Sequence, residues 1–143
     1  MNSIHDIASY DITGKGFDKN IEQLVRVCHM EPLKKVEAAI EKNCGFPIKL
    51  YVSLKSSWRP VWWEKLKGRS GYSSHTYNFM GATDITCDDF KNNWPTLLEY
   101  LIKETSYTRL AVYSGFIHGD YKNDYRDSYV YNSEWVRQYK IER

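Results

Sequence analysis

Apolar residues recur at helical spacing from Ile21 through Leu24, Val25, Cys28, Leu33 and Val36 to Ile40, and at Ile48 the period changes to two. That switch constrains the fold more than any other feature. The first pattern makes a helix with one apolar stripe. The second, Ile48-Lys49-Leu50-Tyr51-Val52-Ser53, makes a strand with one buried face. Neither can hide its apolar side alone, so helix must pack on sheet. Phe17-Asp18-Lys19-Asn20 supplies helix-starting chemistry, Pro32 kinks the helix or splits it in two, and Asn43-Cys44-Gly45 with Pro47 ends it.

The remainder fits the same architecture. Residues 80–86 read as a strand, Asp88-Asp89 as the cap of a helix through Trp94, Leu97, Leu98, Leu101 and Ile102, and Pro95 as a residue of its first turn. Two strands at 109–113 and 116–121 are joined by the tight connection Ser114-Gly115. The tail from Lys122 is polar and tyrosine-rich, with a short strand expected at 129–131. The expected fold class is α+β, a small, mostly antiparallel sheet with helices packed on it. The length of 143 residues, without repeat or linker, points to one domain over 1–143.

Hydrophobic residues make up 42% and charged ones 27%, enough for a core and too apolar for a disordered chain. A formal charge of +2 lacks the concentrated positive field of a nucleic-acid binder. No run approaches the ~20 apolar residues of a membrane helix. The opening Met1-Asn2-Ser3-Ile4-His5 lacks the basic and apolar regions of a secretory signal, so the expected location is cytoplasmic as synthesised. Cys28, Cys44 and Cys87 are odd in number and widely spaced, which suits buried free thiols.

The aromatic share is 15%, from 12 Tyr, 5 Trp and 5 Phe, more than a core of this size ordinarily needs. Several of these rings, Trp58, Trp62, Trp63, Tyr72 and Tyr77, fall within 55–78, where neither period holds. A loop of that length in a compact domain is functional or disordered, and its rings argue against disorder. Core packing is expected for at least one of Trp62 and Trp63.

The histidines divide by context. His5 lies near a terminus and His29 within a helical pattern, so both are expected to be structural or solvent-facing. His75 precedes Asp84 by nine residues, and strand alternation puts Ala82, Asp84 and Thr86 on one face, where small neighbours leave room for an ion. In Phe116-Ile117-His118-Gly119-Asp120, alternation likewise puts His118 and Asp120 on one face, about 7 Å apart. Two imidazoles and a carboxylate converging from adjacent strands would make a three-ligand zinc site with one open position. The same spacing also suits two unrelated histidines hydrogen-bonded within a sheet.

Ser73-x-His75, Ala82-x-Asp84 and Phe116-Ile117-His118-Gly119-Asp120, in that order, resemble the zinc D-Ala-D-Ala carboxypeptidase and endopeptidase family, the VanX/VanY and phage L-alanyl-D-glutamate endolysin group. Ser57-Trp58-Arg59 after the strand at Val52-Ser53 resembles the family's S-x-Y-R type motif. Ser9, Phe17-Asp18-Lys19-Asn20 and the stretch from Glu41 to Ile48 resemble its short single-domain branch. The resemblance spans about residues 8–121. It implies a Hedgehog/DD-peptidase-like fold, Zn2+ as cofactor, His75, Asp84 and His118 as metal ligands, and Arg59 as the group that holds a substrate carboxylate or a developing oxyanion.

The chain departs from the family pattern in two places. His75 to Asp84 is two residues longer than usual, with Met80 in place of the family glycine and Gly81 one position late. The acidic base that many members place three residues before the second histidine is Gly115 here, and the histidine that some place two before it is Phe116. Asp120 is the remaining base, or else the partner of a ligand histidine. Ser73, Trp62 and Tyr72 are expected to contact substrate, and Lys55, Lys65, Lys67 and Arg69 to make a basic rim. The implied partner is peptidoglycan or its stem peptides, cleaved next to a D-amino acid by a phage-type lysis or virion protein or a cytoplasmic dipeptidase. The alternatives are a non-catalytic zinc- or wall-binding module and a structural component of a phage particle.

Overall fold

The structure, a computed structural model, describes residues 2–122 and the backbone of 137–140. The elements in chain order are α1 (Lys19–Val25), α2 (Glu31–Cys44), β1 (Leu50–Val52), α3 (Val61–Leu66), β2 (Ala82–Cys87), α4 (Phe90–Glu104), β3 (Arg109–Val112), β4 (Ile117–Asp120) and β5 (Arg137–Lys140). The strands form one sheet in the order β1-β2-β4-β3-β5, with every neighbouring pair antiparallel. This is the expected α+β class.

Asp18 caps α1 by accepting from the Ile21 N–H at 2.9 Å. Between α1 and α2 the chain makes a π-type turn over Arg26–Met30, and Pro32 sits in the first turn of α2. Proline offers no N–H to the carbonyl four residues earlier, which is that of Cys28. The Tyr121 hydroxyl donates to that carbonyl instead, a short bond between the end of β4 and the helix. The interruption expected at Pro32 is thus a π-type turn just before it, flanked by helical backbone, and a tyrosine serves the carbonyl that the proline leaves. Gly45 closes α2 with φ 76°, a left-handed conformation that glycine adopts without strain.

Register assigns the two faces of the sheet. Leu50, Val52, Ile85, Leu110, Val112 and Ile117 point one way and join Leu33, Val36 and Ile40 of α2 and Leu97 and Leu101 of α4 in a continuous core. Gly119 lies on this face too, and a Cβ there would stand 3.0 Å from the buried Tyr107 ring. The opposite face carries two cross-strand rows, Asp84–His118–Ala111 and Ala82–Asp120–Arg109. Alanine at 82 and 111 keeps that face low beside the histidine.

Three readings of the sequence are corrected. Residues 55–78 are not one loop, because Pro60 precedes the short helix α3 and a 3-10 turn forms at Ser74–Thr76. Neither Trp62 nor Trp63 enters the core: Trp62 is 50% exposed beneath Lys15, and Trp63 lies beneath Lys67 and Arg69. Helix α4 begins at Phe90, so Pro95 falls in its second turn, where the unbonded carbonyl belongs to the exposed Lys91 and water can serve it. The tail adds β5 to the sheet edge through backbone pairing with β3, whereas the strand expected at 129–131 lies outside the described residues.

Cys28 and Cys87 are buried free thiols as expected, and Cys44 is half-buried. Among the described residues no helix is long and apolar enough to cross a membrane.

Candidate metal centre

The site grows from the open face of the sheet. Asp84 and His118 are directly opposed on β2 and β4, and the Asp84 Oδ1 to His118 Nδ1 distance is 3.0 Å. His75 arrives from outside the sheet on the 3-10 turn at Ser74–Thr76. Ser73 starts that turn by accepting from the His75 N–H at 3.2 Å, and the Thr76 hydroxyl donates to the Ser73 carbonyl at 2.7 Å. This accounts locally for the serine two residues before the histidine.

Each ring has one nitrogen committed. His75 Nδ1 donates to the Ser57 carbonyl at 2.9 Å, and His118 Nε2 donates to Asp120 Oδ2 at 2.7 Å. The other two nitrogens, His75 Nε2 and His118 Nδ1, face one another at 3.2 Å, and His75 Nε2 stands 3.3 Å from Asp84 Oδ1. Three lone-pair donors thus meet in a triangle with edges of 3.0 to 3.3 Å. Donors bound to zinc at about 2.0–2.1 Å in a tetrahedron stand about 3.3–3.4 Å apart. The donor set, its spacing and the fixed tautomers fit a metal ion, and this buried His75, Asp84 and His118 group could hold one.

Electrostatics couple the three groups. Burial lowers the pKa of His75 by penalising its charged form. Burial acts the same way on His118, but hydrogen bonds and charge from Asp120 and Asp84 overcome it and push the pKa up to about 9. Burial likewise disfavours the Asp84 carboxylate, yet His75 and His118 hold it well below the usual range. Asp120 and Asp84 thus favour positive charge on His118, while burial disfavours it on His75.

The residues between His75 and β2 form a loop and leave the strand regular. Tyr77 turns back in a left-handed conformation at φ 59°, and its ring packs so closely under Gly81, φ 80°, that a Cβ there would stand 2.4 Å from it. The Tyr77 hydroxyl is tied to Ser57 Oγ at 2.5 Å, which also bonds the Ala82 carbonyl and Thr83 Oγ1. Tyr77 and Gly81 thus fix the course of the loop, and Ser57 links His75 to β2.

Arg59, Ser73 and Tyr72 line an open cavity of about 410 Å³ together with His75, Asp84 and His118. The Arg59 N–H donates to the His75 carbonyl at 2.8 Å, which places the arginine beside the ligands. Its guanidinium reaches Ser73 Oγ at only 3.4 Å, and its buried Nε has no hydrogen-bond partner among the described residues. Tyr72 is 79% exposed at the rim. Trp62 does not line the cavity, and of the expected basic rim neither Lys55, Lys65, Lys67 nor Arg69 does.

Asp120 is fully buried and absent from the cavity wall. Its carboxylate accepts from Arg109 Nε at 3.0 Å and from an Arg109 terminal nitrogen at 2.6 Å, from His118 Nε2, and from the Lys122 N–H at 3.0 Å. Burial raises its pKa, but His118 and Arg109 more than reverse this and keep it well below the carboxylate range. A base must reach the reacting atoms; Asp120 lies behind His118 and orients it. Of the two roles expected of Asp120, base or partner of a ligand histidine, this position matches the second.

Phe116 of the His118 motif also lines the cavity, as do Arg109, Tyr113 and Lys122, which were not singled out from the sequence. A signal for Arg109 existed. A two-residue hairpin at Ser114-Gly115 fixes the register so that Arg109 opposes Asp120. Tyr113 and Phe116, flanking that turn, stack with centroids 4.6 Å apart.

His5 pairs at the surface with Glu37 at 2.5 Å. His29 is buried on the other face of the sheet, with Nε2 donating to the Met80 carbonyl at 2.8 Å and Nδ1 accepting from the Tyr107 hydroxyl at 2.7 Å. Both have the non-ligand roles expected. No protein-family model, curated protein or solved structure matches the chain.

Proposed function

We propose that the chain is a zinc-dependent peptidase that hydrolyses amide bonds next to D-amino acids in peptidoglycan stem peptides. The observation that carries this reading is the triangle of His75 Nε2, His118 Nδ1 and Asp84 Oδ1, open to a cavity whose wall holds an under-bonded arginine. The order of Ser73-x-His75, Ala82-x-Asp84 and His118-x-Asp120, with its resemblance to the D-Ala-D-Ala peptidase family, supports the substrate class.

Zinc at such a site supplies Lewis acidity toward a carbonyl and brings the pKa of water near neutrality. The chain's own groups do the rest. Arg59 presents planar donors that stay charged and can grip a carboxylate or an oxyanion at two points. Ser57 and Asp120 hold the proton of each imidazole on the nitrogen that faces away from the cavity, leaving the inward nitrogens as donors. Tyr113 and Phe116 give the cavity an apolar wall against which a peptide can exclude water.

One observation favours a second reading, a zinc-bearing wall-binding module without catalysis. Among the described lining residues Asp84 is the only carboxylate, and it belongs to the ligand set. The test is hydrolysis of purified peptidoglycan and defined stem peptides by the zinc-loaded protein and its Arg59→Lys variant. The peptidase reading expects amide cleavage by the wild type and at least a tenfold drop in kcat/KM for the variant. Binding of wall fragments with no cleavage would establish the module.

A further inference from the structure

The charge of the cavity does not match the charge of the chain. The protein as a whole is nearly balanced at +2. The lining residues include Arg59, Arg109 and Lys122 against the single carboxylate of Asp84. Arg109 is offset by its pairing with Asp120. Arg59 and Lys122 are not offset: neither has an ion-pair partner among the described residues, and Asp84 is committed to the histidines. A divalent ion among the ligands would make the cavity more positive still.

The two cations belong to different parts of the fold. Arg59 follows β1 and is fixed beside the ligands by its N–H to the His75 carbonyl at 2.8 Å. Lys122 leaves the far end of β4, its N–H on Asp120 at 3.0 Å and its carbonyl accepting from the Thr108 hydroxyl at 2.7 Å. The metal-facing His118 lies on β4 between Lys122 and the Tyr113–Phe116 stack at the hairpin. An extended ligand along β4 would have an aromatic wall at one end, an ammonium at the other and the ligand triangle between them.

We infer that the cavity selects a peptide with two free carboxylates, one gripped by Arg59 and the second by Lys122. This rests on the peptidase reading for the nature of the ligand, and it makes Lys122 a specificity residue of the same site. A lone carboxylate would leave one of these cations without a counter-charge in a partly desolvated site, which disfavours neutral or singly charged peptides.

The test uses two stem peptides that differ only in whether the glutamate α-carboxyl is free or amidated. Binding by calorimetry and turnover are both measured on the zinc-loaded protein and on Lys122→Met. The wild type should bind the acid about tenfold more tightly than the amide, mainly through KM when turnover is followed, and Lys122→Met should bring the two to parity. Equal treatment of the two peptides by the wild type, a preference that survives in Lys122→Met, or binding of neither peptide overturns the inference. A tenfold binding preference without hydrolysis would leave the subsite standing and remove the peptidase reading. Hydrolysis without preference would do the reverse.

Discussion

Two buried histidine environments lie on opposite faces of the same sheet, and they differ in how their nitrogens are used. On the helix-covered face, both nitrogens of His29 are satisfied, by Met80 and Tyr107. On the open face, His75 and His118 each have one nitrogen fixed by a neighbour and the other aimed at a shared point. Burial, the largest cause, drives the His29 pKa down to about 3, while carboxylate neighbours push that of His118 up to about 9. Burial therefore does not separate structural histidines from ligand histidines. Where the second nitrogen points does: at separate core partners in His29, and at one shared point beside Asp84 in His75 and His118.

The contrast can be broken by substitution, and the largest effect is expected at the satisfied histidine. His29→Ala removes a buried ring and its hydrogen bonds to the Tyr107 hydroxyl and the Met80 carbonyl, at a cost of about 3 kcal/mol. Urea unfolding should show this loss, while zinc stoichiometry in the folded fraction stays that of the wild type. A variant of wild-type stability would mean that His29 is not a structural element of the core.

Asp120→Asn separates support from ligation. It keeps the side-chain volume but weakens the hold on His118 and the pairing with Arg109, so zinc affinity should fall by roughly 10- to 100-fold. A competition titration with a chelating dye measures this. Unchanged affinity would show that Asp120 does not orient the ligand.

The pH response of zinc-free protein tests the His29 environment without a mutation. Between pH 6.5 and about 3 the unfolded chain carries a proton on His29 that the folded chain excludes. The contribution of His29 to stability is therefore complete above about 6.5 and falls as the pH drops, by about 1.4 kcal/mol per pH unit. His75, also lowered by burial, adds to the slope in the same direction. Urea unfolding between pH 6 and 4.5 in the presence of a chelator should show the decline, and a flat profile would contradict it.

The smallest effect is expected at Trp62, which shares a sequence neighbourhood with the site but lies outside its cavity. Trp62→Ala should change stability by less than about 0.5 kcal/mol and kcat/KM by less than about twofold. A larger kinetic change would extend the functional surface onto α3.

The sequence disclosed the parts of this fold that have a period. Helices α1, α2 and α4 and strands β1 to β4 each carry a one-sided apolar pattern, and the helix-to-strand switch after Ile40 announces how they pack. Helix α3 was hidden because six residues hold under two turns and Trp62, Trp63 and Leu66 do not form a buried stripe. Strand β5 was hidden because it joins an edge through backbone hydrogen bonds, in a tail without alternation. In the site, alternation placed Asp84, His118 and Asp120 correctly on one face. It could not place His75, which reaches the sheet on a 3-10 turn whose course depends on Tyr77 packing under Gly81. Nor could it say that Asp120 faces Arg109 and not the cavity, although the hairpin register held that information.

The central claim is that the inward nitrogens of His75 and His118 and the carboxylate of Asp84 form a metal centre. Metal analysis of the protein after zinc loading and exhaustive dialysis tests it most directly, with His118→Ala measured in parallel. One zinc per wild-type chain and at least a hundredfold weaker retention by His118→Ala are expected. Wild-type protein that holds no stoichiometric zinc, or His118→Ala that holds it as tightly, would contradict the account.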